Sequence, residues 1–143
     1  MSTELDPLRA TGTLVRLVRV LDQRLKATSP DELGLADIGV LAEVGRGTTL
    51  PSAIARATRL DPARVTRVVE RLVQLGLVER RTSAHDRRQV PLALTPRGNM
   101  RMARARDEAR EAMGGLLGSL TERERAALAV ALDGLQRVLS ETV

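Results

Sequence analysis

Residues 61–80 read DPARVTRVVERLVQLGLVER, and this stretch decides the fold. Asp61 supplies a side-chain acceptor at a helix N-cap and Pro62 suits the first helical position. Val65, Val68, Val69 and Leu72 then recur at i, i+3, i+4 and i+7, the spacing of one helical face. The helix is expected to run to about Leu75, with Gly76 as a left-handed cap. Leu77 to Arg81 reads as a short strand. The other face of the helix carries Ala63, Arg64, Thr66, Arg67, Glu70, Arg71 and Gln74. Arg can pair bidentately with guanine, and Ala or a Thr methyl can sense thymine. An aliphatic back with a short polar front is what a helix in the major groove requires. The alternative is a plain solvated face. It leaves Arg64, Arg67 and Arg71 repelling one another with only Glu70 to compensate.

Upstream, a helix is expected from Pro51 to Thr58, with Ile54 and Ala55 inward. It is joined to the first stretch by the turn Thr58-Arg59-Leu60. Thr48 to Leu50 reads as a tiny strand. A helix over 37–44 uses Ile38, Leu41 and Ala42, and Gly45-Arg46-Gly47 ends it. A longer helix over 6–27 starts at Asp6-Pro7, repeats Leu14, Val18, Leu21 and Leu25, and closes at Ser29-Pro30. Downstream, residues 82–87 form a polar turn. Residues 89–94 alternate as a strand, with Pro91 confining it to a sheet edge. Thr95-Pro96 opens a long helix to about Gly114-Gly115 or slightly beyond. Thr121 and Glu124 form a capping box for a last helix carrying Leu128, Leu132, Leu135 and Leu139. Two short helices on a tight turn, followed by a β-hairpin, make a winged helix-turn-helix. The expected fold is mainly α with a small β-hairpin wing, in a single domain, 1–143. Its DNA-binding lobe is 36–95, and helices 6–28 and 96–141 are left for dimerisation.

Composition narrows the function. The 143 residues are 43% hydrophobic and 29% charged, enough to bury a core. No run of 18 uncharged apolar residues exists and the first 30 residues lack a signal-peptide core, so a cytoplasmic chain without a membrane span is expected. There is no Cys, which excludes disulfides, thiolate metal sites and thiol redox sensing. The single His, His85, is expected as a solvent-exposed turn residue, since a metal site would need partners that are absent. No Phe, Trp or Tyr is present to stack on single-stranded bases. No cofactor is expected, and no nucleophile–base pair or phosphate-cradling loop suggests an enzyme. The net charge of +5 is uneven: residues 56–106 hold 13 Arg against Asp61, Glu70, Glu79 and Asp86. A basic middle between acidic flanks fits a polyanionic partner. A winged helix serving only as a protein-interaction module would need a groove helix with few basic residues.

The ordered set over about 45 residues resembles the multiple-antibiotic-resistance regulator (MarR) family. The residues that carry it are Ile54-Ala55, then Asp61-Pro62-Ala63-Arg64-Val65-Thr66-Arg67-Val68-Val69-Glu70-Arg71-Leu72, then Gly76-Leu77-Val78-Glu79-Arg80. Asp86-Arg87-Arg88 and Leu92-x-Leu94-Thr95-x-x-Gly98 complete it. The resemblance implies a homodimeric, sequence-specific regulator, a repressor, on a pseudo-palindromic double-stranded DNA operator. Pro62, Ala63, Arg64, Thr66, Arg67 and Arg71 would read the major groove. Asp86 would brace the wing, with Arg88, and Arg87 after it, entering the minor groove. Arg59, Arg80 and Arg81 would meet phosphate. In many members a small, often aromatic, anion releases DNA from a site lined by the first, second and fifth helices. Arg16, Arg19 and Arg46 are the candidate partners for such an effector here. The sequence departs from the family at Arg59, where Gly is frequent, and at Ala36 and Leu50, where polar caps are usual.

Overall fold

The computed structural model describes residues 4–82 and 90–142. In chain order the elements are α1 (Pro7–Thr28), α2 (Leu35–Gly45), α3 (Pro51–Thr58), α4 (Pro62–Gln74), β1 (Val78–Arg80), β2 (Leu92–Leu94), α5 (Pro96–Leu117) and α6 (Glu122–Glu141). They fall into two compact units, Met1–Ala109 and Arg110–Val143. Mostly helix with one antiparallel hairpin, this is the architecture that the sequence implies.

The local start signals act where they stand. Asp6 accepts from Leu8 N at 3.1 Å ahead of Pro7, and Asp61 accepts from Ala63 N at 2.7 Å ahead of Pro62. Each satisfies a backbone donor that has no partner inside its helix. Gly76 caps α4 at φ +71, as expected.

Two expectations are corrected. α2 begins two residues before Asp37. Its N-cap, Gly34, has no side chain, so Asp37 reaches back to accept from Gly34 N at 2.9 Å, and Asp22 of α1 accepts from Leu35 N at 2.8 Å. Thr48 to Leu50 is not a strand. It contributes a single rung, Leu92 N to Thr49 O at 2.9 Å, to the edge of the hairpin.

The core of the first unit gathers Leu33, Leu41, Ile54, Val65, Leu72, Leu77 and Leu92, all at most 2% exposed. Each buried aliphatic side chain contributes about 1.5–3 kcal/mol. The hairpin pairs Val78 with Leu94, Glu79 with Ala93 and Arg80 with Leu92, so Val78 points inward while Glu79 and Arg80 face solvent.

α5 leaves the hairpin through a tight contact. Thr95 N donates to Leu77 O at 3.1 Å, Thr95 Oγ1 donates to Gly76 O at 2.6 Å, and Gly98 N donates to Thr95 Oγ1 at 3.0 Å. A Cβ at Gly98 would stand 2.0 Å from Leu77 O, so only glycine fits this helix turn against the backbone that leads into β1.

In α1 only Leu25 is buried, while Leu14 and Val18 of its apolar stripe are about half exposed. In the second unit, α5 runs on through Gly114-Gly115 to Leu117. Thr121 and Glu124 form the expected capping box, and Arg125 Nη1 donates to Leu117 O at 3.2 Å. No residue of α6 is buried, and Val130, Val138 and Leu139 lie in the open.

Candidate nucleic-acid interface

α3 and α4 meet through the turn at Arg59, which takes φ 57 and ψ 23. This is the left-handed geometry that costs an L-residue about 1–2 kcal/mol. The turn therefore keeps the shape a Gly would give, and an exposed guanidinium is placed between the two helices.

From this turn α4 projects its first two turns into solvent. Pro62, Ala63, Arg64, Thr66 and Arg67 are all exposed, over a back of buried Val65, Val68 and Val69. Thr66 Oγ1 donates to Pro62 O at 3.1 Å. Arg64 sits on the flank that faces α1, where its charge acts on Asp22. Burial alone would raise the Asp22 carboxyl; hydrogen bonds from Lys26 and Leu35 N, with the charges of Lys26 and Arg64, draw it below its ordinary value.

Arg71, also expected on this surface, lies against the segment before α2. It is half-buried. Its Nη2 donates to Asp31 O at 2.7 Å and its Nη1 lies 3.4 Å from Asp37 Oδ2. The side chain is committed to the segment between α1 and α2.

Of the expected phosphate contacts, Arg80 is exposed and lines a groove of about 390 Å³ with Ser52, Thr66 and Val90. The first turn of α3, α4 and the hairpin meet there. Arg81 is exposed too, but Glu79 Oε1 lies 3.2 Å from its Nε and offsets its charge. Asp86, Arg87, Arg88 and His85 lie outside the described residues.

Sequence reasoning missed Ser52 and Arg56. Both border a second groove, with Pro62, between α3 and the start of α4. Their signal was available: exposed polar residues on the first helix of a helix-turn-helix, on the side of the turn.

The candidate effector residues separate. Arg19 and Arg46 line one groove of about 490 Å³ together with Arg64, Asp22 and Glu43. Arg16 is not part of its lining. Arg46 is already paired with Glu43. Among the described residues, no group of His, Asp and Glu could hold a metal ion. No helix among them is long and apolar enough to cross a membrane.

A sequence model of the MarR family matches residues 32–89. The chain is 28% identical over 141 residues to the HTH-type transcriptional regulator PecS of Dickeya dadantii, covering 95% of this chain and 85% of that protein. The structure superposes on the reduced form of MarR from E. coli with a TM-score of 0.76 and 26% identity, covering 93% of this chain and 98% of that one. The chain is thus similar to MarR-family transcriptional regulators, and its fold is a winged helix-turn-helix. It is also 28% identical over 107 residues to the HTH-type transcriptional repressor MdtR of Bacillus subtilis, covering 74% of this chain and 69% of that one. A further neighbour is the Mycobacterium tuberculosis MarR family protein Rv2887 in complex with p-aminosalicylic acid. The match has a TM-score of 0.71 and 26% identity, and covers 88% of this chain and 97% of that one.

Proposed function

We propose that this regulator binds a pseudo-palindromic operator as a homodimer and represses transcription. The DNA-binding lobe would be 36–95, and residues 6–28 and 96–141 would form the dimer. The exposed front of α4, over a fully aliphatic back, carries the reading: Ala63 and Thr66 would meet base edges and Arg67 a guanine. Arg56, Arg59 and Arg80 would hold phosphates on either side, and Arg88 of the wing would enter the minor groove.

The apolar stripes of α1 and α6 support the dimer, because the chain leaves Leu14, Val18, Val130 and Leu139 without cover. Repression follows the example of MdtR. The Arg19, Arg46 and Arg64 groove supports an anionic effector, and Rv2887 is a relative in complex with p-aminosalicylic acid.

Selection of bound DNA from a random pool tests the reading. A palindrome with half-sites about 10 bp apart is expected. Recovery of no preferred sequence overturns it. With the selected operator in hand, Arg67→Ala should cost about 1–3 kcal/mol and relax preference at one base position per half-site. A loss spread evenly over all sequences would move Arg67 to the phosphates.

A further inference from the structure

The segment 29–34 between α1 and α2 is gripped from two sides. Arg101, on the second turn of α5, is 8% exposed and uses all three of its nitrogens. Its Nε donates to Asp31 Oδ2 at 2.8 Å and its Nη2 to Asp31 Oδ1 at 3.1 Å, a two-pronged pair. Nη2 also donates to Ser29 Oγ at 2.6 Å, and Nη1 to Glu108 Oε2 at 3.2 Å. Burial alone would raise the Asp31 carboxyl, but the hydrogen bonds from Arg101 and Ser29 hold it at about 2. From a different helix, Arg71 of α4 donates to the carbonyl of the same residue, Asp31, at 2.7 Å. Its second branch reaches Asp37, whose carboxylate also caps α2. Asp31 therefore joins two helices, its carboxylate to α5 and its carbonyl to α4.

The lever is short. Gly98 rests on the backbone of Leu77, just past the end of α4, and Arg101 stands one helical turn further along α5. The first contact is a pivot, and the arginine is a strut beside it. A helix held at a pivot alone can swing, whereas a helix held at two points has a fixed angle. Arg101, Asp37 and Glu108 are buried and each has an opposite charge within reach, so loosening either arginine leaves a carboxylate or carbonyl short of a partner.

We propose that Arg71 and Arg101 are positioning residues for DNA recognition, which together fix the angle between the recognition helix and α5 by holding the 29–34 segment between them. This rests on the dimeric, operator-binding reading above. If α5 belongs to the dimer interface, that angle sets the spacing at which two recognition helices meet the operator.

Full-length chains carrying Arg71→Gln, Asp31→Asn, or both are compared with the wild type at fixed salt. Binding is measured to the selected operator, to the operator with one base pair inserted between half-sites, and to a random duplex, and sedimentation checks the dimer. Each single variant should lose on the order of tenfold on the operator. Each should keep its random-duplex affinity within about twofold and reject the inserted base pair less sharply. The double variant should lose less than the product of the single losses, because both changes release one segment.

Equal losses on operator and random duplex would overturn the proposal, since Arg71 would then be a phosphate contact. So would a changed preference at one base with the spacing preference intact, which would make it a base reader. If Asp31→Asn gives no folded dimer, Arg71→Gln decides alone, because its side chain is 41% exposed and its removal spares the core. Variants that bind as the wild type does sink only this inference. A wild type that is monomeric or prefers no operator sinks the regulator reading and this inference with it.

Discussion

Gly98 offers the sharpest test of how α5 is mounted on the lobe. Replacing a helical Gly by Ala ordinarily stabilises a protein by about 0.4–1 kcal/mol, because the unfolded chain loses freedom. Gly98 is the third residue of α5, so helix preference alone predicts that gain. The contact predicts the opposite. The added Cβ would lie 2.0 Å from Leu77 O and 3.0 Å from Leu77 C, and both are backbone atoms. No side-chain rotation relieves the overlap, so the first turn of α5 must retreat by about 1 Å or more to restore normal contact. That retreat strains the bond from Thr95 N to the same Leu77 O.

Overpacking costs about 1–3 kcal/mol and a weakened hydrogen bond about 1 kcal/mol more. The contact outweighs the helix preference, and a net loss of about 1–3 kcal/mol is expected. Melting should fall by roughly 3–10 °C. Urea titration and thermal melts at one protomer concentration measure it, since a dimer's stability depends on concentration. Gly39→Ala is the matched control. Gly39 also lies inside a helix, but its Cβ would meet nothing within 4 Å, so it should gain stability. If Gly98→Ala is as stable as the wild type, or gains as Gly39→Ala does, the close approach of α5 to the Leu77 backbone is wrong.

Two further outcomes follow from named residues. Asp31 has a folded pKa of about 2 against an ordinary 3.8, so its stabilising effect is present above pH 4 and disappears as pH falls through about 2. The stability advantage of wild type over Asp31→Asn should be about 2 kcal/mol near neutrality and shrink through that window; an advantage independent of pH would dissociate Asp31 from the ion pair. Arg59→Gly should relieve the left-handed turn and raise stability by up to about 1 kcal/mol. It should also weaken DNA binding and reduce its salt dependence by about one ion. Lost stability, or unchanged DNA affinity, would contradict the role given to Arg59.

What was legible in the sequence was local. Asp6-Pro7, Asp61-Pro62, Thr95-Pro96 and Thr121 with Glu124 each mark a helix start within four residues, and the structure places a helix at each. The start of α2 was not legible, because part of its cap is Asp22, which lies 13 residues earlier on another helix. The same distinction governs the interface. Helical periodicity tells which residues of α4 turn away from the core. It does not tell which outward flank meets solvent and which meets another segment. Arg64 and Arg71, seven residues apart, share a flank, and the 29–34 segment folds against only the second of them.

The basic middle of the chain reads differently once its partners are placed. Its charge excess fits a polyanionic partner, but the arginines divide by neighbour. Arg71, Arg101 and Arg104 are engaged with Asp37, Asp31 and Glu108, and Arg81 with Glu79. Arg56, Arg59, Arg64, Arg67, Arg80, Arg97 and Arg106 are exposed and have no salt-bridge partner among the described residues. The first five lie on α3, its turn, α4 and the first hairpin strand, the elements that surround the front of α4. A salt titration should therefore count close to these residues and the wing, fewer ions than the total charge implies. Under the proposed reading, Arg71 and Arg101 serve to position α4, and the exposed arginines around its front are the ones left for DNA.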